Sequence, residues 1–231
     1  VTLLRVEDRG VYRARNAGIA ATTGSVIFFT DADCLVTEEW LSQGLAAIQG
    51  GADIVQGYSG AVPGGPPSRW LQARYEAHLR KLRPGDPTET DTRNLAVRRE
   101  VFDSLLFNET YRRVGDTEFG LLAEVAGFRV AYAPAMRIAH AHDEDLRIFA
   151  AKQICHGWGA QRLMQEHPEI EWHGGHLKLV ARVSYRLSRQ RWLRPLAGLF
   201  RWKALTGAAI LQRAPRWFPG SVAILLLTAI D

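Results

Sequence analysis

An apolar run ends abruptly in two carboxylates one residue apart at Val26-Ile-Phe-Phe-Thr-Asp-Ala-Asp33, and this stretch constrains the fold more than any other. The hydrocarbon from Val26 to Phe29 reads as a strand buried on both faces, the kind found in a parallel sheet with helices on each side. Ligands gather just beyond the ends of such strands. On an extended backbone Asp31 and Asp33 point the same way, so both reach one hard cation that prefers oxygen ligands and keeps positions open for phosphate. The plain alternative is a solvated turn, because Asp is favoured in turns and at helix starts.

The flanks supply helices. Arg13-Ala-Arg-Asn-Ala-Gly-Ile-Ala-Ala-Thr-Thr-Gly24 carries apolar residues at helical spacing and ends on a glycine that can stop the helix. Thr37-Glu-Glu-Trp-Leu predicts a second helix with Thr37 as its N-cap and acids in the first turn. Asp53 to Gly57 reads as a strand, and the Pro and Gly content of Pro63 to Pro67 and of Arg83 to Pro87 reads as loops. Phe128 to His142 reads as two short strands interrupted by Pro134, and Leu146 to Met164 as a helical pattern broken by Gly157 and Gly159.

In this order, Arg15-Asn16-Ala-Gly18, the apolar strand, Asp31-Ala-Asp33 and Trp40-Leu41 resemble the family 2 glycosyltransferases of the GT-A fold. Thr92-Arg-Asn-Leu-Ala-Val-Arg-Arg-Glu-Val-Phe102 is similar to the family's strand and helix ahead of the acceptor site. Gly115-Asp-Thr-Glu-Phe-Gly-Leu-Leu-Ala-Glu-Val resembles its Glu-Asp helix, with Gly115 standing where the first acid is usual. The resemblance covers about residues 1–164. It implies an α/β fold of Rossmann-like type, a mainly parallel sheet flanked by helices. It also implies that the first strand-helix unit or units are missing, since Val1-Thr-Leu-Leu-Arg-Val reads as a strand already inside the fold and a βαβ unit takes about 30 residues.

By resemblance, Asp116 is the general base that takes a proton from the acceptor hydroxyl, and Arg15, Asn16, Asp31 and Asp33 bind the nucleotide-sugar donor. Asp33, Asp31 and His140 are the implied ligands of Mn2+ or Mg2+. The implied reaction is inverting transfer of a sugar from a nucleotide diphosphate to an acceptor hydroxyl, in glycan or envelope glycoconjugate synthesis. Beside these roles stand plainer ones: an acidic first turn on the helix from Thr117 to Ala126 for Asp116, a surface histidine for His140, and a packed core tryptophan for Trp158, which otherwise lies toward the acceptor. His142, two residues beyond His140, shares its strand face. The Gln-x-x-Arg-Trp signature of processive synthases is absent, which favours single-sugar addition.

Of the formal charge of +5, residues 176–231 carry ten Lys or Arg against Asp231 alone, leaving the rest of the chain net acidic. Basic stretches with Trp192, Trp202 and Trp217 among apolar residues suit an anionic bilayer surface. The last apolar run, Val222 to Ile230, is shorter than the about 20 residues a spanning helix needs. The expected organisation is therefore a catalytic domain over 1–165, partial at its front, and a basic, aromatic-rich helical segment over 166–231. Two cysteines, Cys34 and Cys155, argue against a disulfide scaffold and suit a reducing cytoplasm, and with the basic segment the expected location is the inner face of the plasma membrane. The expected partners are a nucleotide-sugar donor, a glycan or lipid-linked acceptor and an anionic membrane surface, with no nucleic acid because no groove-reading motif accompanies the basic residues. Two other readings compete: an inactive, membrane-associated interaction protein, and a haloacid-dehalogenase-type phosphatase, which Leu35 disfavours where that class wants Thr or Val.

Overall fold

The β-branched and aromatic residues after Ser25 form β1 (Val26–Thr30), the strand expected there. Successive side chains of a strand face opposite ways, and here the alternation seeds two cores. Phe28 meets Trp40 edge-on with ring centroids 5.1 Å apart, whereas Phe29 meets Phe102 and Phe107. The computed structural model describes residues 3–6, 10–80, 82–86, 88–141 and 146–170.

After α1 (Val11–Ala20) and β1 the chain runs through β2 (Cys34–Val36), α2 (Trp40–Gln49), β3 (Ile54–Ala61), α3 (Pro66–Leu79), β4 (Asn94–Arg98), α4 (Arg99–Ser104), α5 (Gly115–Val125), β5 (Val130–His140) and α6 (Leu146–Glu166). The five strands make one sheet in the order β1-β4-β3-β5-β2. The class is mixed α/β with a central sheet and flanking helices, as expected. The strand directions correct the expectation of a mainly parallel sheet: β3 and β5 pair in parallel, while β1–β4, β3–β4 and β2–β5 are antiparallel. β4 lies antiparallel between β1 and β3, and β2 is a short return strand on the outer edge of β5.

One face of the sheet is covered by α2, whose Trp40 and Ile48 pack with Val55, Ala96, Ala131, Met136 and Ile138. A Cβ on Gly44 would meet the Phe28 ring and, at 2.7 Å, the Met136 sulfur, so only glycine lets this helix lie so close to the sheet. The other face carries the buried rings of Phe102, Phe107, Tyr111 and Phe119. Phe107 and Phe119 stand 4.5 Å apart between centroids. These contacts make apolar burial the main force holding helices to sheet.

Several local expectations change. Residues 3–6 are not a strand and Leu3 is 79% exposed, because no described strand pairs with them. β1 is only partly buried, since it pairs on one side alone among the described residues. Thr37 does not cap α2 with its side chain; its carbonyl accepts the Trp40 N–H at 3.1 Å. Pro66 and Pro67 open α3 rather than ending a loop, as proline suits the first helical turn, where its missing N–H costs nothing. β5 is one strand, not two, because residues 134–136 are taken up by a bulge opposite the step from Gly57 to Tyr58. α6 runs unbroken through Gly157 and Gly159.

By chain contacts a first unit comprises residues 1–64 and 68–142, and a second takes in 65–67 and continues from 143. The basic segment, with Trp192, Trp202 and Trp217, lies outside the described residues, as does His142. Among the described residues, no helix is long and apolar enough to cross a membrane.

Candidate functional site

The chain leaves β1 in a tight turn in which the Cys34 N–H donates to the Asp31 carbonyl at 3.1 Å. Asp31 and Asp33 therefore do not lie along one extended backbone, and each faces its own partner. Asp31 accepts from Arg15 Nη2 on α1 at 2.9 Å. Asp33 is carried toward β5, because β2 and β5 pair with Cys34 opposite His140 and the Ala141 N–H donates to the Asp33 carbonyl. Asp33 Oδ2 lies 3.4 Å from His140 Nε2.

The other ring nitrogen of His140, Nδ1, lies 3.3 Å from Arg93 Nη1. A guanidinium has no acceptor, so it donates and Nδ1 accepts. The proton of the neutral ring then sits on Nε2, toward Asp33. Burial first, and the Arg93 charge second, lower the His140 pKa against the pull of Asp33 and keep the ring neutral near pH 7.

Arg93 is itself fixed from within its own loop. It forms a two-pronged ion pair with Asp91 through Nε, at 2.8 Å, and Nη2. Burial pushes the Asp91 carboxyl up, but Arg93 overrides it and holds the carboxyl down at about 2. Between these two residues Thr92 donates from its N–H and hydroxyl to Asp116 Oδ2 at 3.3 and 3.2 Å. Asp116 lies in the first turn of α5, and its Oδ1 accepts from Tyr12 Oη and the Thr117 N–H, both at 3.1 Å. Burial first, then the nearby Asp91 charge, raise the Asp116 pKa, opposed by Arg15, Thr92 and Tyr12. Arg15 thus stands bonded to Asp31 and within electrostatic reach of both Asp91 and Asp116.

Of the residues singled out in the sequence, the structure brings Asp33 to His140 and Arg15 to Asp31, and ties Arg15 electrostatically to Asp116. It does not bring Asn16 to Asp31, Asp33 or Asp116. The Asn16 amide donates to the Phe107 carbonyl at 2.8 Å and to Glu109, and accepts the Phe107 N–H, which fastens α1 to the loop after α4. Trp158 is 41% exposed on α6 and not a packed core residue. Sequence reading missed Asp91, Arg93 and Tyr12 as site residues. Asp91 and Arg93 carry a weak signal, opposite charges two apart just before a strand; Tyr12 carries none, since its partner lies 104 positions away.

The donor set at Asp33 suits a divalent cation in part. Asp33 offers a carboxylate and His140 a neutral imidazole, while burial, with the Asp33 charge adding, raises the Cys34 thiol and keeps it protonated. Carboxylate oxygen is the better ligand for Mn2+ or Mg2+. His140 can join through Nε2 only when Arg93 gives up Nδ1. Beside the β2–β5 pair, a cleft of about 480 Å³ is lined by residues that include Leu35, Thr37, Tyr58, Gln72, Glu76 and Arg137.

Residues 1–109 match the family model described as glycosyl transferase family 2. A curated relative, glycosyltransferase AglE of Haloferax volcanii, is 29% identical over 134 residues, which is 57% of this chain and 44% of the relative. The chain therefore spans less than half the length of that protein. Among solved structures, the mannosyltransferase PcManGT from Pyrobaculum calidifontis, in complex with GDP-Man and Mn2+, aligns with a TM-score of 0.53 at 18% identity over 99% of this chain and 62% of that one. At that identity the likeness concerns the fold.

Proposed function

On the support that these matches give to a family 2 glycosyltransferase of GT-A fold, we propose that this chain transfers a sugar with inversion from a nucleotide-diphosphate donor to an acceptor hydroxyl, with a divalent cation held at Asp33. The observation that carries the reading is the joining of a carboxylate–imidazole pair, Asp33 with His140, to a partly buried carboxylate of raised pKa, Asp116, through the three consecutive residues Asp91, Thr92 and Arg93.

Asp33 is the first ligand, and His140 the second once Arg93 releases its Nδ1. The cation, when bound, neutralises charge that builds on the departing diphosphate. Arg15 holds Asp31 at the same strand end and adds positive charge where an anionic donor approaches. Asp116 accepts the proton of the incoming hydroxyl; its raised pKa makes it a stronger base than a solvated aspartate. Its four acceptor positions are occupied by Tyr12, Thr117 and the two Thr92 donors. The Thr92 hydroxyl can rotate away, which leaves Oδ2 as the oxygen that meets the acceptor.

Mn2+ and a nucleotide-sugar are supported as cofactor and donor by the complex of the structural neighbour. A glycan or lipid-linked acceptor at the inner face of the plasma membrane rests on the charge of residues 176–231. Co-sedimentation of the chain with anionic vesicles, lost in 0.5 M salt on the order expected for surface charge, tests that placement.

The decisive experiment titrates the protein calorimetrically with UDP and with GDP, with and without Mn2+, beside Asp33→Ala. Binding that requires both the ion and Asp33 is expected. Equal binding by Asp33→Ala, or without the ion, refutes the cation site. Asp116→Asn should lower kcat by about 10²–10⁴ with donor affinity retained.

A further inference from the structure

Tyr12 lies on α1, 3% exposed, and its ring stacks on Phe107 with centroids 5.9 Å apart. Its hydroxyl does two things at once. It accepts the Gly115 N–H at 2.9 Å and donates to Asp116 Oδ1 at 3.1 Å. The backbone of residue 115 therefore fixes the phenol, and the phenol fixes one oxygen of the carboxylate. Such a two-step chain polarises its members in the same direction.

The fit requires glycine at 115. A Cβ there would come within 2.7 Å of Tyr12 Cε2, 2.9 Å of Cζ and 3.0 Å of Tyr111 Cβ. The preceding residue, Val114, has φ of 69°, a left-handed conformation that a β-branched residue adopts only when its surroundings impose it. It is the only non-glycine residue with positive φ among those described. The chain is thus bent sharply just before Asp116, and the ring of Tyr12 fills the room that a side chain at 115 would need.

We propose that Tyr12 is a positioning residue for Asp116: through the Gly115 N–H it locks Oδ1 and so presents Oδ2 as the proton-accepting oxygen. Burial, with the Asp116 charge adding, raises the phenol pKa, so it remains a donor throughout the working range. The charged groups that face Asp116 are Asp91 and Arg93 from the loop before β4 and Arg15 from α1; Thr92 and Thr117 face it as neutral donors. Of the groups around Asp116, Tyr12→Phe removes only the phenol hydroxyl, with its bonds to Asp116 and from the Gly115 N–H, and retains the ring and its packing.

This proposal takes Asp116 as the base, and its test has a readout that does not depend on sugar transfer. Carboxyl-carbon NMR titration of Asp116 in Tyr12→Phe should show proton affinity about tenfold above that of the unaltered protein, because one hydrogen bond to the charged form is lost. If the protein turns over, the acid limb of kcat/KM moves up in pH with it while donor affinity stays the same. A second arm tests the fit. Gly115→Ala should reproduce the Asp116 shift by expelling the ring, yet have less than a twofold further effect when added to Tyr12→Ala, where the space is vacant. An unchanged Asp116 titration in Tyr12→Phe, or equal effects of Gly115→Ala in both backgrounds, overturns the proposal. A shifted titration in a protein that transfers no sugar leaves it standing and removes only the catalytic reading.

Discussion

Replacing Asn94 by alanine should remove a large part of the stability of the first unit. Asn94 is fully buried at the start of β4. Its Oδ1 accepts the Trp40 indole N–H at 2.8 Å, and its Nδ2 donates to the Tyr58 and Met136 carbonyls at 2.8 and 2.9 Å. Those carbonyls flank the bulge where β3 and β5 lose register, so the side chain satisfies what the ladder leaves open. Truncation strands one buried donor and two acceptors, each costing about 1–3 kcal/mol, and the expected loss is about 3–5 kcal/mol once partial entry of water is allowed for. That compares with a total of about 5–15 kcal/mol for a typical domain. Urea unfolding followed by tryptophan fluorescence reads it as a lower midpoint at unchanged slope. Asn94→Asp is the sharper control: it retains the acceptor for Trp40 but aims a second oxygen at two carbonyls, and its defect should shrink on acidification, when a protonated carboxyl supplies a donor. A loss below about 1 kcal/mol for Asn94→Ala, or a pH-independent defect for Asn94→Asp, refutes the assignment of this amide as the bulge's satisfier.

Two other changes test the packing and the charge network. Gly44→Ala should destabilise by about 1–3 kcal/mol through overpacking against Phe28 and Met136, and shift the thermal midpoint down; a neutral or stabilising result means that α2 can lift from the sheet without cost. Asp91 is held down at about 2 in the folded protein, so its contribution is complete above about pH 4 and disappears as pH falls toward 2. For a carboxylate one-third exposed this is about 1–2 kcal/mol after solvent screening. Unfolding free energies measured between pH 5 and 2 should therefore fall more steeply for the native protein than for Asp91→Asn, and parallel curves would remove Asp91 from the account.

What the sequence made legible follows from the range of the forces involved. β1 and the helix before it were readable because each is specified by local periodicity or by residues at its own ends, whereas β4 with α4, and α5, were legible through the family resemblance of Thr92 to Phe102 and of the block that begins at Gly115. The carboxylates at 31 and 33 were readable as a cluster, but not their separation, which a turn bond between Cys34 and Asp31 and the pairing of β2 with β5 decide. Strand direction was misread for a related reason. An apolar run looks alike whether its neighbours run parallel or antiparallel, and β4 is placed between β1 and β3 by long-range pairing. Pro134 suggested a break, yet a bulge accommodates it within β5. Tyr12 was invisible because the groups its hydroxyl bonds lie 103 and 104 positions away, at Gly115 and Asp116.

The three residues ahead of β4 explain why the site has the form it does. Backbone geometry sends Asp91 and Arg93 to one another and Thr92 the other way, so consecutive positions serve different partners. Asp91 is held in turn by Gln56, whose Oε1 accepts its N–H at 2.6 Å from β3. Arg93 then reaches His140 on β5, while Thr92 reaches Asp116 on α5. A shift of this loop would therefore alter the tautomer-setting bond to His140 and the acceptor count on Asp116 together. On the proposed reading, in which a cation at Asp33 engages His140 once Arg93 releases it, this single peptide segment would join donor binding to the freeing of Asp116 Oδ2 by Thr92. Arg93→Met would separate the two: cation-dependent nucleotide binding should be retained or improved, because Arg93 no longer donates to Nδ1, whereas turnover should fall, because Asp91 loses its partner and the charge it adds beside Asp116 is no longer balanced. Parallel losses in binding and turnover would show that the loop acts only as a structural support.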